Sequence, residues 1–219
     1  MRRASLLTLA TLALLGTAPL PAQAGACASR GPKLPAAGGW SEYKTDSGTM
    51  RMAYIGKDAA GERMEISMDR PARGGRPGGP AIFQIVVPGF PYQMSEAKEV
   101  IIQMGTEPPM KMSEQMLSMM RSRMPSAPQI SNEMCARMVE IGKERITVPA
   151  GTYETTHYRD TTRANDVWVS QTVAFGMVKA VAEGRTIELQ ATGTGAKTKL
   201  TGTPQEMNPG MMPGRRPSN

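Results

Sequence analysis

Hydrophobic and polar positions alternate along much of the chain, and a period of two predicts strands. Met50, Met52 and Tyr54 alternate with Arg51 and Ala53, and Met64, Ile66 and Met68 alternate with Glu65 and Ser67. Gly56 to Gly61 lies between the two runs, so together they read as a β-hairpin. Ile82 to Val87 is a short β-branched run that stops at Pro88-Gly89, and it reads as a buried strand. Glu99 to Met104 carries two periods. Ala97, Val100, Ile101 and Met104 have helical spacing, while Val100-Ile101-Ile102 and the stop at Gly105 favour a strand, which is expected.

Ser113 to Met124 shows the clearest helical pattern. Ser113 suits an N-cap, Glu114 suits the first turn, and Met116, Met119, Met120 and Met124 fall on one face. Arg121 and Arg123 lie near its end and Pro125 stops it. Glu133 to Val139 fits a second helix or a strand. The last third is the most regular. Glu144 to Val148, Tyr153 to Arg159, a strand through Val167, Val169 and Val173 with Trp168 on its other face, Met177 to Ala182 and Thr186 to Ala191 form a predicted antiparallel meander with short turns. Pro71 to Pro80 is a low-complexity loop.

The ends of the chain have other patterns. Arg2 and Arg3, the apolar run Leu6 to Leu15, the breakers Pro19 and Pro21, and Ala22-Gln23-Ala24 follow one another in the order of a cleavable export signal, and the run is too short to span a bilayer. The expected organisation is a signal over 1–24, a Gly/Pro-rich tether over 25–39, a folded domain over 40–201 and a patternless, unstructured tail over 202–219. Export changes the reading of the two cysteines, Cys27 and Cys135, because they could pair in an oxidising compartment. Cys27 also follows Ala24-Gly25-Ala26, which resembles the lipobox of bacterial lipoproteins, so lipidation of Cys27 stays open beside a disulfide. The expected location is the periplasm, with attachment to the outer membrane if Cys27 is acylated.

The chain has 219 residues, with 26 basic and 19 acidic side chains. The basic excess falls by two when Arg2 and Arg3 leave with the signal, and the rest is scattered. Aromatic residues are few, so a stacking surface for nucleic acid is not expected; the charge fits an ordinary solvated surface, or membrane association through anionic lipid or envelope polymer. Chemistry-bearing motifs are sparse. His157, the one histidine, sits mid-strand and would have to serve any Ser-His-Asp or Cys-His arrangement. No serine lies in G-x-S-x-G, and no His/Cys cluster has zinc spacing. Gly193 to Thr198 has the composition of a phosphate loop but not its spacing. A non-enzymatic protein without a cofactor is expected.

Methionine is the unusual feature. There are 19, ten of them between Met94 and Met138. Met is flexible and polarizable, so it fills cores and also suits surfaces that repack around apolar ligands. Thioethers also bind Cu(I), and Met50, Met52, Met110 and Met112 could supply such ligands. Core filling, ligand contact and copper binding stay open at this point.

Ile146-Thr147-Val148-Pro149-Ala150-Gly151-Thr152-Tyr153 and its continuation to Tyr158 resemble a recurring turn-and-strand. Asp166-Val167-Trp168-Val169-Ser170 with Phe175-Gly176-Met177-Val178-Lys179 resembles a strand pair found beside it. Both are similar to segments of the half-barrel domains of the lipoprotein-localisation factor (LolA/LolB-like) superfamily. The resemblance covers the last third of the chain. It implies a mainly β, α+β fold, a strongly curved antiparallel sheet or half-barrel with one or two helices as plug or lid. It also implies a cavity for an acyl chain, a lipoprotein or another apolar ligand. The expected lining or lid is Met112, Met116, Met119, Met120 and Met124, with Ile85, Val87 and Trp168. The alternatives are a copper-binding protein and a structural or sensory envelope domain with no ligand.

Overall fold

The computed structural model describes residues 33–46, 48–70, 78–90, 94–123, 137–163 and 165–207. The elements are β1 (Trp40–Thr45), β2 (Gly48–Lys57), β3 (Glu62–Arg70), β4 (Gly79–Val87), β5 (Glu99–Met104), β6 (Met110–Met112), α1 (Glu114–Arg123), β7 (Met138–Val148), β8 (Gly151–Asp160), β9 (Asp166–Val169), β10 (Met177–Ala182), β11 (Arg185–Gly193) and β12 (Gln205–Met207). They form one 12-stranded sheet in the order β12-β6-β5-β4-β3-β2-β1-β11-β10-β9-β8-β7. Among the described residues no pairing joins β12 to β7, so the sheet is open and not a closed barrel.

The β2–β3 hairpin follows from its alternation and its turn. Asp58 Oδ1 accepts the backbone N–H of Ala60 at 2.8 Å and of Gly61 at 3.2 Å. Gly61 has φ 149°, and a Cβ there would lie 2.2 Å from the Val87 carbonyl oxygen. The turn therefore needs glycine both for its dihedral and for its close approach to β4.

Register sorts the side chains onto two faces. Met64 lies opposite Ile85, and Glu65 opposite Gln84; Ile85 lies opposite Val100, and Ile82 opposite Gln103. The inner face thus carries Tyr54, Met64, Ile85, Val87 and Val100, which pack with Ala97, Leu117 of α1 and Phe175. Burying a Leu such as Leu117, 2% exposed, contributes roughly 1.5–3 kcal/mol. A second inner cluster holds Tyr43, Val148, Val173, Val178 and Leu189, with Ile146, Ala150 and Tyr153 against it. Burial pushes the Tyr43 hydroxyl up to about 12, with a Ser41 hydrogen bond pulling the other way.

The second cluster requires the sheet to curl. Ala150, in the β7–β8 turn, donates its N–H to the Leu189 carbonyl of β11 at 3.1 Å. Between β7 and β11 lie β8, β9 and β10, which in a flat sheet would hold them about 19 Å apart. β7 ends the sheet, and Ile141, 52% exposed, sits where its register with β8 slips between Glu140 and Gly142. A bulge with Lys143 and Arg145 beside it is a common way to blunt an exposed edge.

The outer face of β1 to β5 is crossed by residues 194–204, which form a strap ending in β12. Glu65, 2% exposed, accepts from Thr198 Oγ1 at 2.6 Å, from Lys199 N at 2.9 Å and from Gln84 Nε2 at 3.1 Å. Gln103 accepts from Thr201 N at 2.9 Å and donates to Thr201 Oγ1 at 2.7 Å. A buried polar stripe is tolerated because the strap satisfies it.

Several expectations need correction. The sheet is mixed, because β12 runs parallel to β6. The tail expected to be patternless from Gly202 begins with a strand, since β6 leaves one edge for Gln205 to Met207 to pair with. The last residues of the expected tether are bonded into the fold: Gly38 N donates to Tyr54 O at 2.7 Å and Ala196 N to Gly38 O at 2.8 Å. Val173 is not on a strand with Val169; it is buried in the loop after β9. Met138 and Val139 begin β7, and Glu133 to Ala136 of the predicted element lie outside the described residues. So do the signal, Cys27, Cys135 and Met124. No described helix is long and apolar enough to cross a membrane, which says nothing of a β-barrel.

Candidate functional site

A concavity lies between residues 33–39, the 170–176 loop and the end of β11. Its volume is about 410 Å³, and Leu34, Pro35, Val173, Ala174, Thr192 and Lys33 are among its walls. Clefts of roughly 300–1,000 Å³ are the usual size for small-ligand sites.

The loop that forms one wall is tightly built. Ser170 N donates to Gly176 O at 2.8 Å and Gly176 N to Val173 O at 2.9 Å. Ser41 Oγ donates to Ala174 O at 2.7 Å, tying the loop to β1. Phe175 and Gly176 have φ 61° and 75°. Consecutive positive φ values are normally filled by Asn, Asp or Gly. For Phe this backbone costs about 1–2 kcal/mol, and the ring offsets it by burying in the cluster with Leu117. Gly193, one of the lining residues, is packed against Trp40, where an added Cβ would lie 3.0 Å from the ring. Arg51 covers that ring at 4.7 Å from its centroid.

The residues singled out from the sequence divide into two groups. Ile85 and Val87 are core members of the first inner cluster, and Met112 and Met120 pack against it. Met116 is buried and Met119 half-buried on the same helix. α1 therefore lies on the sheet with its interface filled by these side chains, and Leu117, which the methionine pattern passed over, is its most buried residue. The predicted N-cap, Ser113, accepts Leu117 N through its carbonyl at 3.0 Å, while its hydroxyl is buried without a partner. Met50 and Met52 pack against the second cluster. Three strands separate them from Met110 and Met112 on β6, so the four form two pairs. Among the described residues no group of three or more His, Cys, Asp or Glu is placed to hold a metal.

Trp168 lies on β9, in the C-terminal half of the sheet. Its ring stacks on His157 with centroids 4.4 Å apart. His157 Nδ1 faces Glu144 Oε1 at 3.0 Å and its Nε2 faces Asp166 Oδ1 at 2.6 Å. Arg159 Nε also donates to Asp166 Oδ1, at 2.8 Å. That bond, and to a lesser degree the His157 bond, holds the Asp166 carboxyl below the usual range against the effect of burial. On the other side of Trp168, Lys179 Nζ is 5.9 Å from the ring centroid and pairs with Glu188 at 2.9 Å. His157, Trp168, Lys179 and Glu188 are successive cross-strand partners. They make a lateral ladder that fixes register across β8 to β11.

No family model matches the chain, and no curated protein does. Among solved structures, an exported protein with YmcC-like fold from Bacteroides fragilis is 9% identical and superposes with a TM-score of 0.33 over 75% of this chain and 100% of its own. A lipoprotein from Parabacteroides distasonis is 11% identical, with a TM-score of 0.31 over 73% of this chain and 97% of its own. Likeness at this level assigns neither a family nor a function. Membership of the lipoprotein-localisation superfamily is not shown.

Proposed function

We propose that the protein is a non-catalytic binding module of the cell envelope, which takes an apolar or amphiphilic ligand in the cleft beside the 170–176 loop. The observation that carries this reading is a ligand-sized cleft lined in part by apolar side chains, walled by a loop in a conformation that Phe175 adopts only at a cost. Strain of this kind clusters at ligand sites. The curl that brings Ala150 to Leu189 fits the half-barrel that the sequence resemblance implies. The ring of His157 faces carboxylates on both nitrogens; neither is left for acid–base work on a substrate, which supports a non-enzymatic role. Lys33 follows Cys27 by six residues, a span of at most about 20 Å. Acylation of Cys27 would hold the cleft near the outer membrane, within reach of a lipid or a lipoprotein's acyl chain.

Titration of the mature protein with the fluorescent apolar probe N-phenyl-1-naphthylamine tests the site. Thr172→Trp, at the exposed rim, is expected to weaken probe binding at least tenfold, and Met120→Gln to leave it unchanged. The reverse pattern would move the ligand under α1. A second reading, a structural or sensory domain, is favoured by the packing of Leu117 and Met116 onto the sheet with their own side chains; it predicts no probe binding in any variant. Copper binding by Met50, Met52, Met110 and Met112 requires a Cu(I) affinity above that of free methionine in a competition titration.

A further inference from the structure

We infer that the cleft is built for a single-chain anionic amphiphile, with its head at Lys33 and its chain along Leu34, Val173 and Ala174. The inference rests on the cleft being the ligand site. One lysine, Lys33, is among its lining residues and none of them is Asp or Glu, although the chain carries 19 acidic side chains. Lys33 is exposed and makes no ion pair among the described residues. The hydroxyls around it are largely committed. Thr192 Oγ1 donates to Trp40 O at 2.8 Å, and Ser170 Oγ and Thr172 Oγ1 bond each other at 3.0 Å. The cleft thus has one lysine, no carboxylate and several apolar side chains among its walls, a combination that favours a carboxylate or phosphate head joined to a hydrocarbon chain. A volume of about 410 Å³ holds about a dozen heavy atoms at roughly 30 Å³ each. That suits one medium chain and excludes the two chains of a diacyl lipid.

The test is calorimetric titration of the mature protein with dodecanoate, dodecyl phosphate, dodecanol, dodecylamine and inorganic phosphate, all below micelle formation, repeated with Lys33→Glu and Lys33→Arg. Both anionic amphiphiles are expected to bind at least tenfold more tightly than dodecanol, and dodecylamine and inorganic phosphate not measurably. Lys33→Glu should abolish the preference for the anion, and Lys33→Arg should keep it. Equal binding of dodecanoate and dodecanol, or a preference that survives Lys33→Glu, overturns the inference. Binding of inorganic phosphate as tight as that of dodecyl phosphate overturns the role of the chain. If the naphthylamine probe binds but no amphiphile does, the cleft stands as a site and this inference falls. If nothing binds, both fall.

Discussion

From β3 to β5 the sheet is covered on both faces by the chain itself, α1 on the inner face and the 194–204 strap on the outer. From β7 to β11 one face carries the Glu144-His157-Trp168-Lys179-Glu188 ladder, and on the same side of β7 and β8 Ile146, Val148 and Tyr153 continue into the second cluster. Both halves alternate apolar and polar residues. The polar side chains are satisfied differently because of what lies above them. Glu65 and Gln103 bond vertically to strap residues and are buried. Glu144, Asp166 and Lys179 bond sideways to neighbouring strands and keep part of their surface in water. An alternating strand thus does not decide whether its polar face is a surface or an interior.

The comparison can be broken most sharply in the covered half. Leu117→Ala is expected to cost about 3–4 kcal/mol in urea unfolding, because it opens a cavity between α1 and β4. Lys179→Ala, in the ladder, should cost less than about 1 kcal/mol. Similar losses for both would mean that the two halves are held alike. The left-handed turns offer a second contrast. Phe175→Asn removes a buried ring, worth about 3–5 kcal/mol, and relieves about 1–2 kcal/mol of backbone strain, for a net loss of about 2 kcal/mol. Glu183 has φ 52° in the exposed β10–β11 turn, and Glu183→Gly there should leave stability unchanged or raise it by about 1 kcal/mol.

Glu65→Ala would leave the Thr198 hydroxyl and the Lys199 N–H without their acceptor, at a cost of about 2 kcal/mol. Hydrogen exchange at Lys199 and Thr201 should rise while that of β7 to β11 stays unchanged. The smallest effect is expected at Asp166. Its carboxyl is held low, chiefly by Arg159. Its contribution is therefore full above the unfolded value of about 3.9 and is lost as pH falls below that toward the folded value. Asp166→Asn should cost about 1 kcal/mol or less at pH 7, and that difference should shrink in acid. A difference that grew in acid would contradict the assignment.

Most of the strands were legible because their alternation is local. Met50 to Tyr54 and Met64 to Met68 carry a period that few other structures satisfy, and the helix is marked at both ends by Ser113 and Pro125. The methionines of α1 were read as a face, and they do face the sheet. Trp168 stacks on His157; alternation shows that such a residue faces one side without saying which side is inner. The partners of His157 were not visible either: Glu144 and Asp166 meet it only through the registers of β7 with β8 and of β8 with β9.

The sequence by itself determined the mainly β character, the β2–β3 hairpin, the C-terminal meander and the amphipathic helix from Glu114, since these follow from residue spacing and turn chemistry within a few positions. The tertiary structure alone decided the sheet order, the parallel pairing of β12 with β6, the strap over Glu65, and the cleft between residues 33–39 and 170–176. Each of those joins segments distant in the chain. Their pairing depends on which surfaces are left uncovered once the local elements have formed, and no local period encodes that.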